Sequence, residues 1–192
     1  MRIQALAVAL ALSAVPCHAA EPAVDAAEVA SATFVKGCVG FMGDYAKLRD
    51  QLQPERDLYL PQIPPSAAKP FLQGREGEAY ARFDAGVTLV LWKAEDQCAV
   101  FMQKGNTDRL RKQLDADLKA GLSRSFTIKS GGCETKGSMQ SCFTDITPMG
   151  EYRAELMKKY GKEPAGLRVL LTTSESANPN LKAIITVDWK LP

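Results

Sequence analysis

"EAYARFDAGVTLVLWKAEDQCAVFMQ", residues 78–103, holds three short apolar runs divided by "DAG" and "KAEDQ". The runs EAYARF, VTLVLW and CAVFMQ read as strands, and their separators have lengths suited to antiparallel turns. VTLVLW (87–92) is apolar at both parities, so both of its faces are expected to be covered and the strand to be central. In the third run Cys98, Val100 and Met102 share one face, as period-2 alternation requires. A sheet is thus set in the first half of the chain, and the flanking segments have to cover it.

Upstream, "ATFVKGCVGFMGDYAKLRDQL" (32–52) repeats Phe34, Cys38, Phe41, Tyr45, Leu48 and Leu52 at helical spacing, which predicts one amphipathic helix. Gly37, Gly40 and Gly43 lie beside that stripe. Each weakens a helix by up to ~1 kcal/mol relative to Ala, and a second element can approach closely there. "PERDLYLPQIPPSAAKP" (54–70) carries five prolines and reads as an extended connection lying over the core. Gly74 and Gly77 read as turn glycines leading into the first strand.

Downstream, "GNTDRLRKQLDADLKAGL" (105–122) predicts a helix capped by Asn106 or Thr107, with Leu110, Leu114, Leu118 and Leu122 as its buried edge. "SFTIKS" (125–130) and "CFTDIT" (142–147) read as two further strands. Residues 148–160 fit a helix by the spacing of Met149, Tyr152, Leu156 and Tyr160, and fit a strand by alternation; the helix is preferred. "LRVLLTTS" (167–174) and "AIITVDW" (183–189) close the chain as strands, with Ala183, Ile185, Val187 and Trp189 on one face. The expected fold is α+β: a single domain with a mostly antiparallel sheet, helices packed on one face and two disulfides.

The first 19 residues place one charge, Arg2, before an apolar run from Ile3 to Val15, then small residues ending in Ala19. That is the pattern of a secretory signal peptide, with an apolar run shorter than the ~20 residues of a spanning helix. Pro16 fits poorly before a lipid-bearing Cys17, so no membrane anchor is expected after cleavage. Residues 20–30 read as a flexible lead-in and 31–192 as the domain. About 173 residues suffice for one real core. A charged fraction of 24% and an apolar fraction of 46% argue against global disorder. The net charge of +2 falls by one with Arg2, which gives no electrostatic case for nucleic acid.

Cleavage also removes His18, the one histidine in the sequence. Without it a Ser-His-Asp triad, a Cys-His pair, a histidine-ligated zinc and a histidine general base are all excluded. Four cysteines remain: Cys38, Cys98, Cys133 and Cys142. An even number in an exported chain reads as two disulfides, with three pairings open. Structural zinc brings close ligand pairs, and none occurs; C-x-x-C is also missing. Gly131, Gly132 and Gly137 favour a staple Cys133–Cys142, which leaves Cys38 with Cys98. The loop-entropy model assigns roughly 2.5–3 kcal/mol to the short ring and about 4 to the long one.

Three short elements imitate a serine acyl-enzyme: Ser66-x-x-Lys69, "KSG" (129–131) and "SAN" (176–178). Their order is wrong for that mechanism, and the prolines at 64, 65 and 70 oppose the helix it needs. Carboxylate chemistry survives the loss of histidine. Glu76, Glu78, Asp84, the pair Glu95/Asp96 and the pair Asp115/Asp117 are its candidates. No calcium loop and no phosphate-binding G-x-x-x-x-G-K is present, and no cofactor or metal is expected.

The exported leader, "FVKGCVGFMGDYAKL" (34–48) and "FLQGREGEAYARFDAGVTLVLWKAEDQCAVF" (71–101) together resemble a group of small exported proteobacterial proteins of unknown function. The likeness covers roughly residues 34–122. It implies a periplasmic or secreted location in a Gram-negative bacterium and a Cys38–Cys98 link, and it carries over no catalytic residue. The functional expectation is a non-enzymatic exported binding protein whose partner is another exported protein, for example as inhibitor or immunity partner of a toxin or cell-wall hydrolase. The alternative is a small carboxylate-dependent hydrolase acting on wall glycan.

Overall fold

The computed structural model describes residues 24–93, 97–175 and 181–190. Strands β1 (Gly77–Arg82), β2 (Val87–Trp92) and β3 (Gln97–Met102) form successive antiparallel pairs, with Leu89 opposite both Tyr80 and Val100. A second antiparallel run comprises β4 (Phe126–Lys136), β5 (Met139–Pro148) and β6 (Gly166–Ser174). The last strand, β7 (Ala183–Lys190), inserts between β3 and β6 and joins the two runs. The result is one seven-stranded antiparallel sheet of order β1-β2-β3-β7-β6-β5-β4. With five α-helices among the described residues, the fold is α+β.

One face of this sheet carries most of the core. α1 (Ala26–Thr33), a π-helical turn (Phe34–Val39), α2 (Tyr45–Gln51) and α4 (Thr107–Leu122) lie on it. Phe34, Leu48, Leu89, Leu110 and Ile185 are completely buried there. Burying such side chains is worth roughly 1.5–3 kcal/mol each. Asn106 caps α4, its Oδ1 accepting from the Arg109 amide at 2.8 Å. VTLVLW is β2 residue for residue, and every position in it is buried. The back face explains why both parities are apolar. α3 (Pro65–Leu72) covers β1–β3 from behind, where Phe71 meets Phe101 edge to face at 5.5 Å and Trp92 Nε1 donates to the Leu72 carbonyl at 3.2 Å. Helices therefore lie on both sides of this half of the sheet, with α3 the exception to the one-face layout.

Several local expectations change. The lead-in assigned to residues 20–30 gives way to helix α1 at Ala26, because Ala26, Ala27 and Ala30 are small enough to pack close to the core and Asp25 caps their helix. The single helix expected over 32–52 breaks at residues 40–44. Gly43 there takes φ +83, a left-handed value that stops a helix, and Asp44 starts the next one by accepting from the Lys47 amide at 3.2 Å. The stripe stays in phase across the break, so periodicity alone does not reveal it. Within 54–70, residues 54–58 form turns and only 59–64 are extended. Pro61 and Ile63 hydrogen-bond β1 at Ala81 and Ala79, both at 2.9 Å, and so cover an edge strand that would otherwise be open. Pro65 then begins α3 at a position that needs no amide hydrogen, and burial of Ala68 and Phe71 outweighs the penalty of Pro70. Residues 150–160 are α5 (Gly150–Tyr160), closed by Gly161.

Both disulfides pair as expected. Cys38–Cys98 ties the π-helical turn to β3, and neither cysteine is exposed. Cys133–Cys142 joins directly opposed residues inside the β4–β5 hairpin. The staple is thus not at the loop tip: strand pairing continues outward from it to Lys136 and Met139. Paired sulfurs of this kind persist in an oxidising, non-cytoplasmic environment. Among the described residues no helix is long and apolar enough to cross a membrane.

Candidate binding groove

The end of the sheet where β4 and β6 begin and β5 and β7 finish is covered by α5 rather than by the main helical layer. A groove of about 490 Å³ opens between α5, these strand ends and the turn after the π-helix. Its walls are aromatic and aliphatic, with Met42, Phe126, Tyr152, Tyr160 and Trp189 prominent. Phe126 and Tyr152 meet at 5.2 Å between ring centroids. Trp189 lies on the core-facing side of β7, but β7 runs past the covering helices there. Its indole remains 49% exposed, and Tyr160 57%. No residue of α5 is fully buried, so the helix forms an outer wall with little core beneath it.

Charge enters only at the rim. Glu163 is gripped by Arg153 through two bonds of 2.7 Å, which hold its carboxyl below the ordinary carboxylate range. Lys162 lies on the rim beside it, and Lys158 and Lys159 occupy the last turn of α5. Apolar walls with a few charged groups at the lip suit the burial of apolar groups with a charged flank. Among the described residues that line the groove, the one acid is Glu163.

The carboxylates expected to be catalytic are scattered and engaged. Glu78 accepts from Arg49 Nε at 2.8 Å and from the Tyr80 hydroxyl at 3.1 Å, fastening α2 to β1. Burial, with Glu78 beside it, pushes the Tyr80 phenol up to about 12. Asp84 pairs with Arg82 on an exposed turn, and that hydrogen bond lowers its pKa. Asp115 bonds Lys119 at 2.6 Å, and Asp117 accepts from Ser31 at 2.6 Å. Glu76 is exposed near the start of β1. Glu95 and Asp96 lie outside the described residues, as do the leader and the element at 176–178. Ser66 and Lys69 are exposed on α3, which packs behind β1–β3, whereas "KSG" is on β4 at the opposite edge of the sheet. The structure therefore does not bring these two elements together. Among the described residues no cluster of three metal-binding side chains occurs.

A charged cluster that the sequence did not single out lies on the back of β5–β7. Asp145 accepts from Arg168 at 2.8 and 3.1 Å and from Lys190 at 2.7 Å, and Arg168 stacks over Phe143 at 4.6 Å. The Arg168 hydrogen bond, with help from Lys190, lowers the Asp145 carboxyl from 3.8 to about 2. A depressed acid stabilises the fold above its unfolded value, and that contribution disappears as pH falls from about 4 towards 2. Asp145→Asn is expected to cost about 1 kcal/mol at neutral pH. In urea titrations the gap between the two proteins should narrow as pH falls from about 4 and close below about 2; a gap independent of pH would show that the ion pairs contribute nothing.

Comparison with known proteins gives no match to a family model, a curated protein or a solved structure. What fold and groove define is a class: a disulfide-stapled α+β protein with an aromatic groove at one end of its sheet.

Proposed function

We propose that this is a non-enzymatic exported binding protein, acting in the periplasm or outside the cell as inhibitor or immunity partner of an exported toxin or cell-wall hydrolase. The observation that carries the proposal is the groove whose walls present Trp189, Tyr160 and Tyr152 partly to solvent. Aromatic side chains in such a setting supply large contact area at small entropic cost and dominate protein interfaces. The occupant is a segment of a partner protein that carries aliphatic or aromatic side chains flanked by carboxylates. The lysines at 158, 159 and 162 favour such flanks, because Arg153 already neutralises Glu163. The signal-peptide pattern and the two disulfides support an exported location.

The hydrolase alternative finds less support. A glycan-cleaving pair needs a carboxylic acid held protonated near neutral pH. Glu163, the one carboxylate among the described residues that line the groove, is shifted the opposite way.

Trp189 supplies the test, because the other tryptophan, Trp92, is only 3% exposed and stays silent to events in the groove. Partner captured from periplasmic extract and then purified should shift Trp189 emission to the blue. Trp189→Ala and Tyr160→Ala should each weaken binding about thirtyfold, the size of an interface hot spot. Binding that ignores both substitutions would overturn the groove as the site. Release of soluble fragments from purified cell wall would overturn the non-enzymatic reading.

A further inference from the structure

We propose that Cys133–Cys142 is a thiol–disulfide exchange site open to an external dithiol, while Cys38–Cys98 is a closed structural bond. The two bonds differ in solvent access and in the charges around them, two properties that govern exchange. Cys38 and Cys98 are 0% exposed beneath the helical layer. Cys133 is exposed and Cys142 half-buried. The latter pair forms part of a second groove, of about 320 Å³, between α4 and the β4–β5 hairpin. An attacking thiolate therefore reaches Cys133 without any part of the core opening.

The same groove is electropositive. Arg111, Lys112 and Lys119 line it with one acid, Asp115, which Lys119 engages at 2.6 Å; Arg111 also lies 3.8 Å from Asp108, so the cations still outnumber the acids by one. Arg111 donates from Nη2 to Gln140 at 2.6 Å, and its Nε is buried without a hydrogen-bond partner among the described residues. Lys112 is exposed. Positive charge beside a disulfide favours the thiolate that must leave, and so speeds exchange.

One thiolate of the dithiol attacks Cys133 Sγ. A mixed disulfide forms, the Cys133–Cys142 bond breaks, and its electron pair departs on Cys142. The second thiolate of the dithiol then attacks its own sulfur in the mixed disulfide and expels Cys133 as thiolate. The dithiol is oxidised by two electrons to a disulfide, the cysteine pair is reduced by two, and the two protons of the dithiol end on the cysteines.

Opening this bond acts locally. A register shift between Ser130 and Cys133 already separates the inner part of β4 from its outer residues 133–136. Those residues lie on an edge strand, bonded on one side only. Reduction therefore loosens the hairpin's outer end at the mouth of the α4 groove and leaves the main core untouched.

The test treats the folded, oxidised protein with graded dithiothreitol, quenches with acid, alkylates, and maps the labels by peptide mass. Label should enter Cys133 and Cys142 at least about 100-fold faster than Cys38 and Cys98, because the buried bond waits for local unfolding. The double variant Lys112→Gln/Lys119→Gln should slow the fast phase about threefold at low salt, with the difference shrinking at high salt. Equal rates for the two bonds would overturn the proposal. So would a fast phase that ignores both the lysine substitutions and the salt. A thermal melt of the double variant matching the parent's assigns the slowing to charge; slowing that merely tracks a lowered melting temperature also overturns the proposal.

Discussion

Replacing both Cys38 and Cys98 by alanine is expected to lower the unfolding free energy by about 4 kcal/mol, the loop-closure value for a long ring. The bond spans 60 residues, against 9 for Cys133–Cys142. Crosslinking distant residues removes far more of the unfolded chain's freedom, so the hairpin staple should be worth roughly 2.5–3 kcal/mol by the same model. Position adds to the difference. Cys38 belongs to the π-helical turn and Cys98 to β3, so their bond fastens the N-terminal helical layer directly to the sheet. The hairpin staple joins strands that their own ladder already holds together. Guanidinium unfolding of the two double-alanine variants should give midpoints in the order parent, Cys133/Cys142 variant, Cys38/Cys98 variant. The reverse order would mean that ring size does not govern these bonds, and that the hairpin is the more important fastening.

The strands were legible because their apolar pattern is local. VTLVLW announced a strand covered on both sides, and the cover behind it is α3. α3 itself was hidden by prolines. Their effect depends on position, and Pro65 happens to stand where a helix tolerates it. The break between the π-helical turn and α2 was hidden for a different reason. A hydrophobic stripe reports which residues face the core, not whether the backbone between them is continuous. Gly43 followed by Asp44 was the signal that could have located it.

The groove was harder still. Tyr152, Leu156 and Tyr160 marked a helix correctly, yet their spacing cannot say that the helix covers strand ends instead of a filled core. Trp189 alternates with Val187 and Ile185, which are buried, and only the extent of the overlying helices leaves it half exposed. The walls come from residues between Val39 and Trp189. A surface assembled from such distant stretches has no local signature. The cysteine pairing was legible because glycines flank one pair, whereas the cations around Cys133–Cys142 come from α4 and meet it only after folding.

Leu89→Ala is expected to cost about 3 kcal/mol, the usual price of deleting a fully buried leucine side chain. Leu89 stands on the central face of β2, and its side chain fills the notch left by Gly37. A Cβ built on Gly37 would lie 3.2 Å from Leu89 Cδ1. The glycine thus lets the π-helical turn settle onto the sheet, one residue before Cys38, whose disulfide holds it there. Gly37→Ala alone should change stability by no more than about 1 kcal/mol, since a gain in helix propensity opposes the tight contact. In the double variant, the alanine methyl at 37 occupies part of the space vacated at 89. The double variant should therefore recover about 1 kcal/mol more than the sum of the single changes allows. Helix propensity cancels in that cycle, so the coupling reports packing between the two positions alone. Strict additivity in urea unfolding would mean that the turn and β2 do not meet as described, and that the glycines along this segment are tolerated instead of required.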